Sequence, residues 1–242
     1  MLGLIRTPDV ALEASKTVGW PPDDFYREYG ISTLLVRVDL LSGAVEELWE
    51  EPAPACVDHI SVNPCDNNLI LYCHEGAIPY QYGRMFIRRV GEGTARPVRD
   101  QRSGRVKVTH ERWFSDGLRI AYHGMYLRES GQEHYVGIYD TTRELPLEYP
   151  LDDPTLAAWH STPSPDGTLL AMDQQAGHTG IRLLTLADGV WHTELATSVC
   201  SDSAPLEYWQ YREQDPIWTP DGRGILFRAA EQGGVSIYLV EV

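Results

Sequence analysis

The sequence predicts an all-β chain, a β-propeller with about four and a half to five blades of four antiparallel strands, and three observations carry this. First, one pattern recurs about every 50 residues. It begins at His59, His110, His160 and Asp215, which lie 51, 50 and 55 positions apart. Second, a turn follows at a fixed offset: Asp116-Gly117, Asp166-Gly167 and Asp221-Gly222, with Pro64-Cys65-Asp66-Asn67 in the first repeat. Third, no stretch sustains a 3.6-residue apolar period, so few helices are expected.

Each repeat reads as short strands. An apolar stretch enters the turn, and a second strand leaves it at 69–73, 119–123, 169–173 and 225–228. Asp-Gly favours the positive φ values of a tight hairpin. Third strands follow at 84–90, 135–139, 181–186 and 235–240, and more polar fourth strands at 95–99, 145–149 and 191–195. Near the start, 33–40 and 45–49, split by Ser42-Gly43, read as the third and fourth strands of a partial blade. Residues 2–12 are candidates for its inner strands, and Trp20-Pro21-Pro22 breaks the pattern. The last unit has three strands. The expected organisation is one propeller domain over 1–242: a partial blade at 1–50, then blades at about 56–100, 106–150, 156–198 and 213–242. Incomplete blades leave an open strand edge, which favours self-association.

Bulk properties exclude several classes. No apolar run reaches the roughly 18 residues that span a bilayer. The first 16 residues lack the basic and long apolar regions of a signal peptide, so a cytoplasmic protein is expected. Cys56, Cys65, Cys73 and Cys200 show no zinc-knuckle spacing and read as reduced thiols. A net charge of −15 disfavours nucleic acid and anionic membranes as partners. Locally the balance reverses: 84–107 holds eight of the 20 basic residues, including Arg84, Arg88, Arg89 and Arg102. Arginine grips carboxylates through two parallel hydrogen bonds. The plainer reading of most of these is solvated loop arginines.

Repeat register supplies the candidate site. The first strand of a propeller blade lines the central channel, so His59, His110, His160 and Asp215 point three imidazoles and a carboxylate toward one axis. Such groups ligate divalent metals or act as general bases. The competing reading is a histidine that merely packs in each repeat.

At these residues the sequence resembles the oligogalacturonate lyase family. The resemblance rests on His59-Ile60, Asn63-Pro64 and Leu69 through Cys73-His74-Glu75-Gly76; on Thr109-His110-Glu111 with Trp113; on His160 with Ser164-Pro165-Asp166-Gly167; and on Trp218-Thr219-Pro220-Asp221. It covers about residues 32–242. That family is seven-bladed, so the blade count implies a shortened relative or a C-terminal fragment. The resemblance implies metal-assisted β-elimination of short galacturonate chains in pectin breakdown, with a divalent metal, usually Mn²⁺, and a small anionic oligosaccharide as partner. It places the catalytic base at His110, the catalytic arginine at Arg84 and one metal ligand at His160. Two family histidines fall on Glu213 and Asp215, with Gln210 near the family's glutamine. The implied metal set is therefore His160, Asp215, Glu213 and Gln210, and His59 and His74 are candidates for substrate binding. One imidazole with two carboxylates is a harder donor set than the family's own. The alternative function is a catalytically inactive propeller acting as a binding or interaction module. A TolB-like periplasmic propeller is disfavoured because no signal peptide is seen.

Overall fold

In a computed structural model, residues 2–6, 32–52, 56–75, 83–102, 105–174, 180–198, 213–231 and 234–242 are described. All eighteen regular elements among them are strands, and they form five sheets. The chain divides into two compact units, Met1–Gly104 and Arg105–Val242.

The first unit holds two sheets. One is β1 (Leu2–Arg6), β2 (Ser32–Val38) and β3 (Val45–Glu51), in that order. The other is β4 (Cys56–Asn63), β5 (Asp66–Glu75), β6 (Met85–Arg89) and β7 (Arg96–Pro97). The second unit holds three. They are β8 (Val106–Trp113) to β11 (Leu145–Pro150), through β9 (Arg119–Arg128) and β10 (Gly131–Asp140); β12 (Ala158–Pro163) to β15 (Val190–Thr197), through β13 (Leu170–Gln174) and β14 (Ile181–Ala187); and β16 (Ile217–Trp218), β17 (Gly224–Glu231) and β18 (Gly234–Glu241). All named strand pairs are antiparallel neighbours in sequence; one isolated parallel bridge joins Leu151 to Trp191. These are propeller blades, as the sequence predicts; among the described residues the first and last sheets have three strands, the last as expected. Residues 7–12 and 20–24, parts of the N-terminal reading, lie outside the described residues.

The turns differ from the expected hairpin in one respect. In Asp116-Gly117, Asp166-Gly167 and Asp221-Gly222 only the glycine takes positive φ, at 66°, 71° and 70°. The amide of Gly117 donates to the Phe114 carbonyl at 3.1 Å. This is a type I turn closed by a left-handed glycine, a longer loop than a two-residue hairpin. Each Asp side chain accepts from the following amides, as Asp116 Oδ1 does from Leu118 at 2.8 Å. Asn63 does the same in the first repeat, accepting from Cys65 and Asp66.

Alternation along the strands builds the cores. On β13, Leu170 and Met172 pack with Phe114, Val136 and Trp191 toward the preceding sheet. Ala171 between them packs with Ile225 and Phe227 of the following sheet. Burying a side chain such as Leu, Met or Phe contributes about 1.5–3 kcal/mol. Indole hydrogen bonds tie the layers: Trp191 Nε1 donates to the Val136 carbonyl and Trp218 Nε1 to the Thr162 carbonyl, both at 3.0 Å. In the first unit Leu35 and Trp49 pack with Val57, Ile70 and Tyr72. Gly137 lies opposite Tyr122; a Cβ there would sit 2.4 Å from the Tyr122 ring. The last sheet leaves Ile217, Leu226, Val235, Ile237 and Leu239 exposed.

Candidate functional site

Every repeat histidine falls inside a β-bulge of its sheet's first strand, and not at the strand's start. The register shifts between Asp58 and Ser61, between Thr109 and Arg112, and between Ala158 and Ser161. His59 and His110 take left-handed φ, both 50°, and Asp215 takes 43°. A non-glycine residue held there costs about 1–3 kcal/mol, and bulges re-aim side chains beside active sites.

In the second unit the bulges bring His110 and His160 together, with ring centroids 4.4 Å apart. His110 Nδ1 lies 3.4 Å from Nε2 of His123, a buried residue of β9. His160 Nδ1 lies 2.9 Å from Asp173 Oδ2, and the His160 amide donates to Asp173 Oδ1 at 2.5 Å. Asp173 is 1% exposed. It also accepts the amides of Gln214 at 3.0 Å and Asp215 at 2.9 Å. A carboxylate accepting from Nδ1–H leaves the lone pair of the neutral ring on Nε2. His160 is thus set to take a proton or a cation at Nε2.

The two expected carboxylate ligands are otherwise engaged. Asp215 Oδ1 accepts from Arg112 at 2.8 Å. Glu213 accepts from Trp159 Nε1 at 2.9 Å and from Arg228 Nη2 at 3.1 Å. Each carboxylate is neutralised by its own guanidinium, and His160 is not grouped with Glu213 and Asp215 within metal-ligand spacing among the described residues. The manganese set implied by the resemblance therefore does not fit the arrangement of those three. Gln210, its fourth member, lies outside the described residues.

The first unit contains a second polar group, built from β4, β5 and Arg84. His59, Cys73 and Glu75 bring their donor atoms within 4.8 Å of one another. Arg84 is buried, with Nη2 2.5 Å from Glu75 Oε1 and 3.4 Å from His59 Nδ1. Burial pushes the Glu75 pKa up, but the hydrogen bond and charge of Arg84, helped by His59 and Cys73, hold it below the ordinary carboxylate value. Arg84 is thus a desolvated guanidinium already paired to a carboxylate. His74 does not join this group. It lies on the opposite face of β5, with Ile70 and Tyr72, buried against Phe86 at 4.6 Å between ring centroids. Burial lowers its pKa, against a weaker opposing pull from Glu51. It packs as a core histidine, which corrects its reading as a substrate contact. Other arginines of the basic stretch are also paired: Arg88 with Glu51, Arg89 with Asp66 and Arg102 with Asp100.

Asp173, His123 and Cys73 share one repeat position, the second-strand residue 13 or 14 places after the repeat histidine; Arg228 stands there in the last sheet. Each lies beside the polar group of its own repeat: Asp173 with His160, His123 with His110, Cys73 with His59, and Arg228 with Glu213. The constant offset is present in the repeat, but it is masked because each of these residues also ends an apolar strand. Arg112, Trp159 and Glu75 carry no such signal.

No protein-family model matches the chain. Two curated bacterial enzymes are similar to it. The oligogalacturonide lyase of Pectobacterium atrosepticum is 26% identical over 225 residues, covering 86% of this chain and 55% of that protein. The oligogalacturonate lyase of Dickeya dadantii is 25% identical with the same coverage. The chain spans about half the length of these curated relatives. Among solved structures, an oligogalacturonate lyase from Vibrio parahaemolyticus superposes with a TM-score of 0.77 at 19% identity, over 99% of this chain and 62% of that one. An oligogalacturonate lyase in complex with manganese gives 0.77 at 20% identity, over 100% and 62%. A putative TolB from Agrobacterium tumefaciens gives 0.59 at 16% identity, over 99% and 77%. At these identities the structural likeness establishes the propeller fold.

Proposed function

We propose that this chain, an oligogalacturonate lyase-like family member, carries the base machinery for β-elimination on short galacturonate chains. The observation that carries the reading is the His110–His160 ring pair, with Asp173 fixing the proton of His160 on Nδ1. In the elimination, His110 takes the proton from C5 of a uronate unit. The C5–H electrons form the C4–C5 double bond, the C4–O4 bond breaks, and the departing oxygen takes a proton from solvent water. A neutral imidazole suits this role near neutral pH. His123, 3.4 Å behind His110, orients the ring. His160 Nε2, an acceptor in the neutral ring, takes a hydrogen bond from a substrate hydroxyl, and the N–H groups of Arg112 not held by Asp215 donate to the substrate carboxylate or the departing oxygen.

Manganese assistance through His160, Glu213 and Asp215 forms no part of this scheme, because Arg228 and Arg112 hold the two carboxylates. The same ion pairs favour a second reading, a propeller that binds an anionic oligosaccharide without cleaving it. A short oligogalacturonate separates the two. A lyase yields an unsaturated uronate, seen as rising ultraviolet absorbance. A binding module gives calorimetric heat on titration and no absorbance change.

A further inference from the structure

We propose that His59, Cys73 and Glu75 form a binding site for a thiophilic divalent metal of the zinc class, distinct from the manganese set implied by the resemblance. The donors come from the bulge of β4 and the end of β5. Glu75 Oε1 lies 3.6 Å from Cys73 Sγ and 3.7 Å from His59 Nε2. A tetrahedral zinc, at about 2.3 Å from sulfur and about 2.0 Å from nitrogen or oxygen, spaces its ligand atoms about 3.3–3.5 Å apart. Closing the ring of donors onto such an ion thus takes shifts of a few tenths of an ångström along the two measured edges. His59 reaches the group because the bulge holds its backbone at φ 50°. Cys73 is fully buried, and its sulfur is among the described donors grouped with an imidazole and a carboxylate. Nitrogen, thiolate and carboxylate together match zinc or cobalt better than manganese, which prefers oxygen donors.

Arg84 shapes the site without closing it. A carboxylate oxygen has two lone pairs, so Glu75 Oε1 can keep its 2.5 Å bond to Arg84 and still face a cation. Arg84 Nη2 lies 3.4 Å from His59 Nδ1 and can only donate, so this long contact favours the ring proton on Nε2; metal ligation through Nε2 moves that proton to Nδ1 and gives up the contact. Metal binding removes the thiol proton of Cys73 to solvent, since only the thiolate ligates. Three protein ligands leave a fourth tetrahedral position for water or a carboxylate oxygen. With Arg84 alongside, that position carries net positive charge and suits an anion.

Cobalt(II) tests this without reference to catalysis. One equivalent of Co²⁺ added to the wild-type chain should give a near-ultraviolet thiolate-to-cobalt charge-transfer band and the intense visible bands of tetrahedral cobalt. Zn²⁺ should displace the cobalt and abolish both. Cys73→Ser should lose the charge-transfer band. Because Cys73 is buried, Glu75→Gln provides a second variant: it keeps the thiolate band but weakens cobalt affinity roughly tenfold or more. Arg84→Met should act oppositely and tighten binding, because it removes a competing cation from Glu75. Absence of the band in the wild type, its persistence in Cys73→Ser, or unchanged affinity in Glu75→Gln would each overturn the assignment. The proposal does not depend on elimination activity.

Discussion

Nδ1 of His160 lies 2.9 Å from Oδ2 of Asp173, and the same carboxylate collects the amides of His160, Gln214 and Asp215. One buried side chain thus fixes a tautomer on β12 and holds the chain entering β16. Asp173→Asn preserves size but turns an amide N–H toward one of these donors. Hydrogen bonds to a charged group contribute about 1.5–3 kcal/mol, so a loss of about 1–3 kcal/mol is expected in urea unfolding. The His160 ring should also populate both tautomers, read from the ¹⁵N shifts of its nitrogens. A single unchanged tautomer in Asp173→Asn would remove the positioning role.

His110 and His160 separate base from partner. His110→Ala should abolish elimination while leaving the fold and oligosaccharide binding intact. His160→Ala should weaken binding as well, because its Nε2 faces the substrate in this scheme. Steady-state rates and calorimetric affinity, measured on both variants, check the division. Equal loss of binding in the two would contradict it.

The strand pattern and the blade units were legible in the sequence, because an Asp-Gly turn at a fixed offset marks three of the repeats and Pro64-Cys65-Asp66-Asn67 marks the other. Legible too was the equivalence of His59, His110 and His160. The sequence did not reveal that these histidines sit in bulges, since a bulge is one extra residue that pattern alone does not mark. Nor did it reveal the ion pairs of Asp215 with Arg112, 103 positions apart, and of Glu213 with Arg228. Such pairs depend on which strands become neighbours. His74 misled because its motif context is strong, while the alternation of β5 turns it into the core with Tyr72.

His74 makes stability sensitive to acid. Its pKa is depressed by burial, with Glu51 opposing more weakly. An unfolded imidazole takes up a proton near pH ~6.5, which the buried one resists. The unfolded state therefore binds more protons as pH falls below that value, and stability declines toward the depressed folded pKa. The melting temperature should fall between about pH 7 and 5, and His74→Phe should flatten the part of the fall that belongs to this residue. An identical slope in the variant would assign the acid sensitivity elsewhere.

The exposed row of Ile217, Leu226, Val235, Ile237 and Leu239 on the last sheet predicts association. Contiguous apolar faces and open strand edges favour contact with other chains. Light scattering should show apparent mass rising with concentration, and Ile237→Lys with Leu239→Lys should suppress the rise. A concentration-independent monomer in the unmodified chain would contradict this.

The most direct test of the account is the ultraviolet elimination assay on a short oligogalacturonate, run on the wild-type chain, His110→Ala and Asp173→Asn. The account predicts a rising unsaturated-uronate signal for the wild type, none for His110→Ala and a strongly reduced rate for Asp173→Asn. Wild-type elimination that survives His110→Ala unchanged, or no elimination by a wild-type chain that still binds the oligosaccharide, would contradict it.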